Sequence, residues 1–142
     1  MQETSRPSQR IRVLVVEDEA ISRHSLCQVL HRSGFFSAGA ANGAQALEMV
    51  RFFKPQAIIM DLRMPVLDGF ETTRRLKADE HTASIPVLAL TGSSELADRQ
   101  QAVQAGVDDF FTKPINLDQL LLYLRQHNLD QEHSVAAHHS AL

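Results

Sequence analysis

The chain has 142 residues, a length that predicts one compact domain with short tails. Apolar residues make up 44% and charged residues 22%, which is ordinary for a globular protein and excludes general disorder. The net charge is −3, so the chain lacks the basic surplus typical of proteins that bind nucleic acids directly. Its one cysteine excludes an intrachain disulfide, and no apolar run approaches the roughly 18 residues of a membrane span. We therefore expect a cytoplasmic domain without membrane or nucleic-acid contacts.

Both ends of the chain are polar and aperiodic. Residues 1–10 are predicted to form a flexible lead, and residues 129–142 a polar tail. The folded domain is accordingly expected over residues 11–128.

Strand-like apolar runs alternate with helix-like segments in five units. The strands are predicted over Ile11–Val16, Phe35–Ala40, Gln56–Met60, Pro86–Leu90 and Val107–Phe111. The helices are predicted over Ala20–Arg32, Ala44–Phe53, Phe70–Ala78, Glu95–Ala105 and Asn116–His127. Apolar stripes are expected on the first and last of these helices, at Ile21, Leu26, Val29 and Leu30 and at Leu117, Leu120, Leu121 and Leu124. This alternation predicts an α/β fold: a single doubly wound, flavodoxin-like parallel sheet of five strands, order 2-1-3-4-5, with five helices.

Chemically distinctive side chains follow four of the five predicted strands. Glu17 and Asp18 follow the first strand, and Asp61, Thr91 and Lys113 follow the third, fourth and fifth. Each has an ordinary alternative role, as a helix-end charge, a turn former or a solvated lysine. Ligands of such sheets bind beyond the carboxyl ends of the strands, so these groups are expected to converge on one site.

The residue types at these strand ends suit phosphoryl chemistry. Neighbouring carboxylates repel one another and favour a hard cation such as Mg²⁺. Histidine and cysteine are missing from the strand ends, which disfavours zinc. Thr91 adds a hydroxyl group and Lys113 a positive charge, so the set can hold a phosphoryl group, and aspartate can serve as its acceptor.

Four sequence blocks resemble the receiver domains of response regulators in two-component signalling. The blocks are VLVVEDE at 13–19, IIMDLRMPVLDG at 58–69, LALTG at 88–92 and DDFFTKP at 108–114. The resemblance implies a phosphoacceptor rather than an enzyme that turns over. Its donor would be a phosphohistidine on a sensor histidine kinase or a histidine phosphotransfer protein, and the conformational change that follows would control a partner or output.

By this resemblance, Asp61 is the phosphoacceptor beside a site for Mg²⁺ or Mn²⁺. Asp18 would ligate the metal directly and Glu17 mainly through water, while Arg63 would offer its backbone carbonyl. Glu17 stands where the family more often has Asp, which implies an altered metal affinity. The side chains of Arg63 and Ser93 would border the approach of water and tune the lifetime of the phosphoryl group. The alternative for Arg63 is a side chain that points into solvent.

The resemblance also implies a conformational switch. Thr91 matches the switch hydroxyl, Lys113 the phosphate-binding lysine and Phe110 the switch aromatic residue. Gly92 would leave room around the phosphoryl group, and the bond from Lys113 to Pro114 matches a cis peptide bond. The face formed by the fourth helix, fifth strand and fifth helix is expected to change and to recruit a partner or a second copy.

Four other functions fit these residues less well. A Mg²⁺-dependent phosphohydrolase with an aspartate nucleophile would have a general acid where Arg63 stands. An FMN-binding flavodoxin would have a Ser/Thr/Gly-rich loop in place of the acidic residues 17–19, and a nucleotide-binding P-loop is absent. A receiver-like domain that accepts no phosphate is disfavoured because each acceptor-site group is present.

Three architectures suit such a chain. It can be a stand-alone regulator, a receiver from a hybrid histidine kinase, or a receiver from a larger regulator. The initial methionine and the polar ends favour the first, and the linker-like residues 1–10 keep the other two open.

Overall fold

The computed structural model describes residues 10–92 and 96–128. Five parallel strands form one sheet in the order β2-β1-β3-β4-β5, with helices on both faces. The strands are β1 (Arg12–Val16), β2 (Phe36–Ala40), β3 (Ala57–Asp61), β4 (Val87–Thr91) and β5 (Asp109–Thr112). The helices are α1 (Ala20–Arg32), α2 (Gly43–Phe53), α3 (Gly69–Ala78), α4 (Leu96–Ala105) and α5, described over 117–128. The predicted fold class, strand order and number of helices are confirmed.

Several predicted features lie outside the described residues. These are nine of the ten residues of the expected lead, the expected tail at 129–142, and Ser93. Within the described ranges, no helix is both long enough and apolar enough to cross a membrane.

The central strands are buried on both faces, as expected for a parallel sheet covered by helices. All five residues of β3 and all five of β4 are buried. In β1, Val13 and Val15 face the core shared with α1 and α5, whereas Leu14 and Val16 face the core shared with α2 and α3. This two-sided burial explains the nearly continuous apolar runs in the sequence.

Side-chain caps fix where two of the helices begin. The Asn42 side chain accepts a hydrogen bond from the Gln45 amide at 2.8 Å at the start of α2. Asp68 does the same for the Glu71 amide at 2.9 Å at the start of α3. Gly34 has a φ of 95°, a left-handed conformation that suits glycine and ends α1 where the sequence predicted.

The observed start of β5 differs from the prediction by two residues. Val107 was expected to open the strand, but its amide donates to the Ala102 carbonyl at 3.1 Å and so closes the end of α4. Its apolar character reflects packing against the core beside α4 rather than pairing in the sheet. The strand therefore begins at Asp109.

The predicted helix stripes are only partly buried. Leu26 and Leu30 of α1 are buried, but Ile21 is 77% exposed. Five residues of helix turn the chain about 140° beyond one full turn, so Ile21 cannot share the buried face of Leu26. In α5, Leu120 and Leu124 are buried while Leu117, in the first turn, is 38% exposed.

The register of the sheet brings four strand ends level with one another. Val16 of β1 pairs with Met60 of β3, and Asp61 pairs with Leu90 of β4. Thr91 in turn pairs with Thr112 of β5. The residues that end or follow these strands therefore lie side by side along one edge.

Candidate functional site

Three carboxylates meet at the carboxyl edge of the sheet. Glu17 and Asp18 follow β1, and Asp61 is the last residue of β3. One oxygen from each lies within 4.8 Å of the others. Glu17 and Asp61 are buried, and Asp18 is exposed to solvent. The fold thus concentrates negative charge at one point.

Lys113 approaches this cluster from the end of β5. Its ammonium nitrogen Nζ lies 3.2 Å from Oε2 of Glu17 and 3.6 Å from Oδ2 of Asp61. The backbone fixes this position, because the Lys113 amide donates to the Thr91 carbonyl at 2.8 Å. The peptide bond from Lys113 to Pro114 is cis, as the resemblance implied.

The charges in the cluster are unbalanced. Burial raises the pKa of Asp61 to about 7, and repulsion from Glu17 adds to the increase. Lys113 and the Arg63 amide, which donates to Oδ1 of Asp61 at 3.2 Å, act in the opposite direction. Burial would by itself lower the pKa of Lys113, but attraction to Asp61 and Glu17 raises it. Two buried carboxylates therefore share one ammonium group.

This donor set fits a divalent cation that prefers oxygen ligands. Mg²⁺ typically binds through one or two carboxylates and keeps several waters, and the exposed Asp18 leaves the cluster accessible to solvent. In the described part of the chain, the cluster includes neither histidine nor cysteine, so its chemistry favours Mg²⁺ or Mn²⁺ over zinc. Such an ion would offset the repulsion that raises the pKa of Asp61. The metal-binding role of the Arg63 carbonyl stays a prediction.

Thr91, Gly92 and Phe110 lie on the β4 and β5 side of the sheet. Thr91 ends β4 and is buried. Apart from its two neighbours in the chain, no residue of the described structure has a heavy atom within 4 Å of the position that a Cβ atom on Gly92 would take. Phe110 is half-buried against a small core beside α4, and the Arg99 guanidinium lies 5.3 Å from the centroid of its ring. The ring thus lies between the core and α4.

The Arg63 side chain has specific partners although 67% of it is exposed. Its guanidinium forms an ion pair with Asp98 in the first turn of α4. The same group lies 5.4 Å from the centroid of the Phe70 ring. Sequence reasoning missed Asp98, because it lies 35 residues from Arg63 and no local pattern joins the two.

A cavity of about 720 Å³ lies away from this edge, between the carboxyl ends of α2 and α3. Its lining includes Val50, Leu76 and Ile85, together with the cations Arg51 and Lys54. Positive side chains are favoured at the carboxyl end of a helix, which accounts for these two without a ligand. None of the three clustered carboxylates lines this cavity, so the cavity is separate from the candidate site at the carboxyl edge of the sheet.

Comparisons with known sequences identify the family of the chain. The model of the response regulator receiver domain family matches residues 13–125. Curated proteins named response regulator MprA, from Mycobacterium ulcerans and Mycobacterium tuberculosis, are each 36% identical over 115 residues. Each match covers 81% of this chain and 49% of the relative. The chain thus spans about half the length of these curated relatives.

Solved structures with a similar fold include other receiver domains. Chemotaxis protein CheY4 of Vibrio cholerae superimposes with a TM-score of 0.78 at 28% identity, covering 82% of this chain and 98% of that one. The receiver domain of sensor histidine kinase PA1611 from Pseudomonas aeruginosa does so with a TM-score of 0.76 at 32% identity, covering 82% and 96%. In that structure a magnesium ion is coordinated in the active-site cleft. With the family model matching most of its length, this chain belongs to the response regulator receiver domains of two-component signal transduction.

Proposed function

We propose that the domain accepts a phosphoryl group on Asp61 in a Mg²⁺-dependent reaction. The donor is a phosphohistidine on a sensor histidine kinase or a histidine phosphotransfer protein. The observation that carries the proposal is the position of Asp61, which is only 5% exposed between two acidic neighbours and the Lys113 ammonium. A carboxylate in this position needs a cation, and an arriving phosphoryl group finds both positive charge and an acceptor.

The transfer balances without a further reactant. A carboxylate oxygen of Asp61 attacks phosphorus, the bond from phosphorus to the donor imidazole nitrogen breaks, and the imidazole takes up a proton. Mg²⁺ held by Asp18 and Asp61, with Glu17 acting through water, would neutralise charge on the phosphoryl oxygens. Lys113 would pair with one of those oxygens, and Thr91 would donate its hydroxyl hydrogen to another.

The same residues argue against an aspartate-based phosphohydrolase. Arg63 stands where such an enzyme has a general acid, and a guanidinium group does not give up its proton in proteins. In the structure its positive charge is paired with Asp98. We propose that phosphate leaves only by slow attack of water, so that the domain acts as a signal carrier.

We place partner binding on the face formed by α4, β5 and α5. Val103 of α4 is 60% exposed and Leu122 of α5 is 54% exposed, so apolar surface is available there. Phe110 lies in β5, which belongs to the same face, so a change in the conformation of its side chain would alter this face. A partner protein or a second copy of the domain would bind it.

Because kinases of this class act inside the cell, we propose a cytoplasmic location.

The first prediction concerns the acceptor. Wild-type protein incubated with acetyl phosphate and Mg²⁺ should gain one phosphoryl group, measured as intact mass. Asp61→Asn should gain none, and Asp18→Asn should require more Mg²⁺ because it lacks a charged ligand. Glu80→Gln, which removes an exposed charge away from the cluster, should label like wild type. Equal labelling of Asp61→Asn and wild type would disprove the assignment.

The second prediction concerns the stability of the metal-free domain. Because folding raises the pKa of Asp61 from 3.8 to about 7, the folded state binds this proton more tightly than the unfolded state. The stabilising effect of that proton is present at low pH and is lost as pH rises through about 7. At pH 8 in EDTA, Asp61→Asn should therefore raise the free energy of unfolding by about 1–3 kcal/mol.

Urea unfolding at pH 8 and pH 5, followed by circular dichroism, measures this difference. It should shrink at pH 5, because the wild-type carboxyl group is then protonated in the folded state. Glu80→Gln is again the control and should change the free energy by no more than about 0.5 kcal/mol. An Asp61→Asn variant no more stable than Glu80→Gln at pH 8 would contradict the charge imbalance.

The third prediction concerns switching. When beryllofluoride, a phosphoryl mimic, binds at Asp61, the Thr91 hydroxyl should move toward it and Phe110 should rotate into the vacated space. Phenylalanine has no hydroxyl group to satisfy in either position, so the rotation leaves no unpaired polar atom. Crystal structures with and without beryllofluoride would show this, with Asp61→Asn as the unresponsive control. Unchanged Thr91 and Phe110 side chains in wild type would refute the mechanism.

A further inference from the structure

We propose that Asp98 is a positioning residue that sets the lifetime of the phosphoryl group on Asp61, by holding the Arg63 guanidinium on α4. The proposal rests on the proposed function, because it concerns the loss of the group that Asp61 accepts. Asp98 belongs neither to the acidic cluster nor to the residues that the sequence singled out.

The backbone and the side chain of Arg63 point to different partners. Its amide donates to Oδ1 of Asp61 at 3.2 Å, so its backbone is bound to the acceptor side chain. Its guanidinium instead pairs with Asp98 on α4 and lies over the Phe70 ring. In the unphosphorylated domain, the positive end of Arg63 is therefore bound to α4.

Asp98 can release this guanidinium at little cost. Its side chain is 14% exposed and lies in the first turn of α4, where the helix dipole favours a negative charge. The carboxylate thus keeps a favourable environment without Arg63. Asp98 is only partly exposed, but the Arg63 side chain is largely exposed, so water solvates its guanidinium when the pair opens and keeps the contribution of the pair to stability small. The pair is consequently easy to exchange.

A phosphoryl group on Asp61 supplies a competing anion. It carries close to two negative charges at neutral pH and three acceptor oxygens; Mg²⁺ and Lys113 would neutralise part of this charge, but several acceptor positions remain for Arg63. Guanidinium groups bind phosphoryl oxygens through paired hydrogen bonds. Arg63 follows the acceptor by two residues, so its guanidinium divides its time between Asp98 and the phosphoryl group.

The fraction of time that the Arg63 guanidinium spends on the phosphoryl group sets the rate of hydrolysis. A water oxygen attacks phosphorus, the bond from phosphorus to the Asp61 oxygen breaks, and inorganic phosphate leaves while the water proton passes to solvent. A guanidinium on the phosphoryl oxygens obstructs the approach of water, and one held by Asp98 does not. The charge on Asp98 should therefore shorten the lifetime of the phosphoryl group.

The test is the decay of phosphorylated protein at saturating Mg²⁺ after acetyl phosphate is removed by desalting, followed by intact mass. Asp98→Asn should slow the decay by about two- to fivefold, the range that a partly exposed ion pair supports. Asp98→Glu keeps the charge and should decay close to the wild-type rate. Asp118→Asn removes an exposed acidic residue in the first turn of α5 and should also match wild type.

A double-mutant cycle separates positioning from a general effect on α4. Arg63→Ala should decay faster than wild type, and adding Asp98→Asn to Arg63→Ala should change nothing more. If Asp98→Asn leaves the decay unchanged, speeds it, or slows it equally in the Arg63→Ala background, the proposal is wrong. A wild-type protein that gains no phosphoryl group would instead overturn the proposed function, so the two failures are distinguishable.

Discussion

Repulsion between buried carboxylates at the carboxyl edge of the sheet is the interaction on which the site depends. The parallel register ends β1, β3 and β4 level with one another, so Glu17 and Asp61 are pressed together beside Asp18. Lys113 neutralises only part of this charge, and the pKa of Asp61 stays raised because burial and Glu17 outweigh the lysine. The fold holds this arrangement through the apolar core on both faces of the sheet.

The described structure links Asp61 to α4 and to β5 by separate contacts. On one side, the Arg63 amide bonds Asp61 while its guanidinium reaches Asp98 of α4. On the other, Lys113 lies against Asp61 and is anchored to the end of β4 by its backbone. A change of charge at Asp61 therefore acts directly on Arg63, whose guanidinium is paired with α4, and on Lys113, which follows β5. These contacts support the proposed signal, which would start at Asp61 and reach the face formed by α4, β5 and α5.

The fold was predictable because the central strands are buried on both faces and the helices carry clear end signals. Asn42, Asp68 and Gly34 mark helix ends that the structure places close to the predicted ones. The set of strand-end residues was predictable for the same reason, since parallel strands end at one edge. The Arg63–Asp98 pair was not, because it depends on how α4 packs against the chain after β3. Val107 and Ile21 were misassigned because the sequence alone does not distinguish an apolar residue in a strand from one at a helix end or on a solvent-exposed face.

The central claim is that Asp61 carries the phosphoryl group, and chemical trapping of the acyl phosphate tests it most directly. Borohydride reduces an acyl phosphate to an alcohol, which would convert a phosphorylated aspartate to homoserine. Protein treated with acetyl phosphate and Mg²⁺, reduced and mapped by peptide mass spectrometry should contain homoserine at position 61 alone. Samples without acetyl phosphate should contain none. Homoserine at another aspartate, or its absence from position 61 in protein that has gained phosphate, would contradict the account.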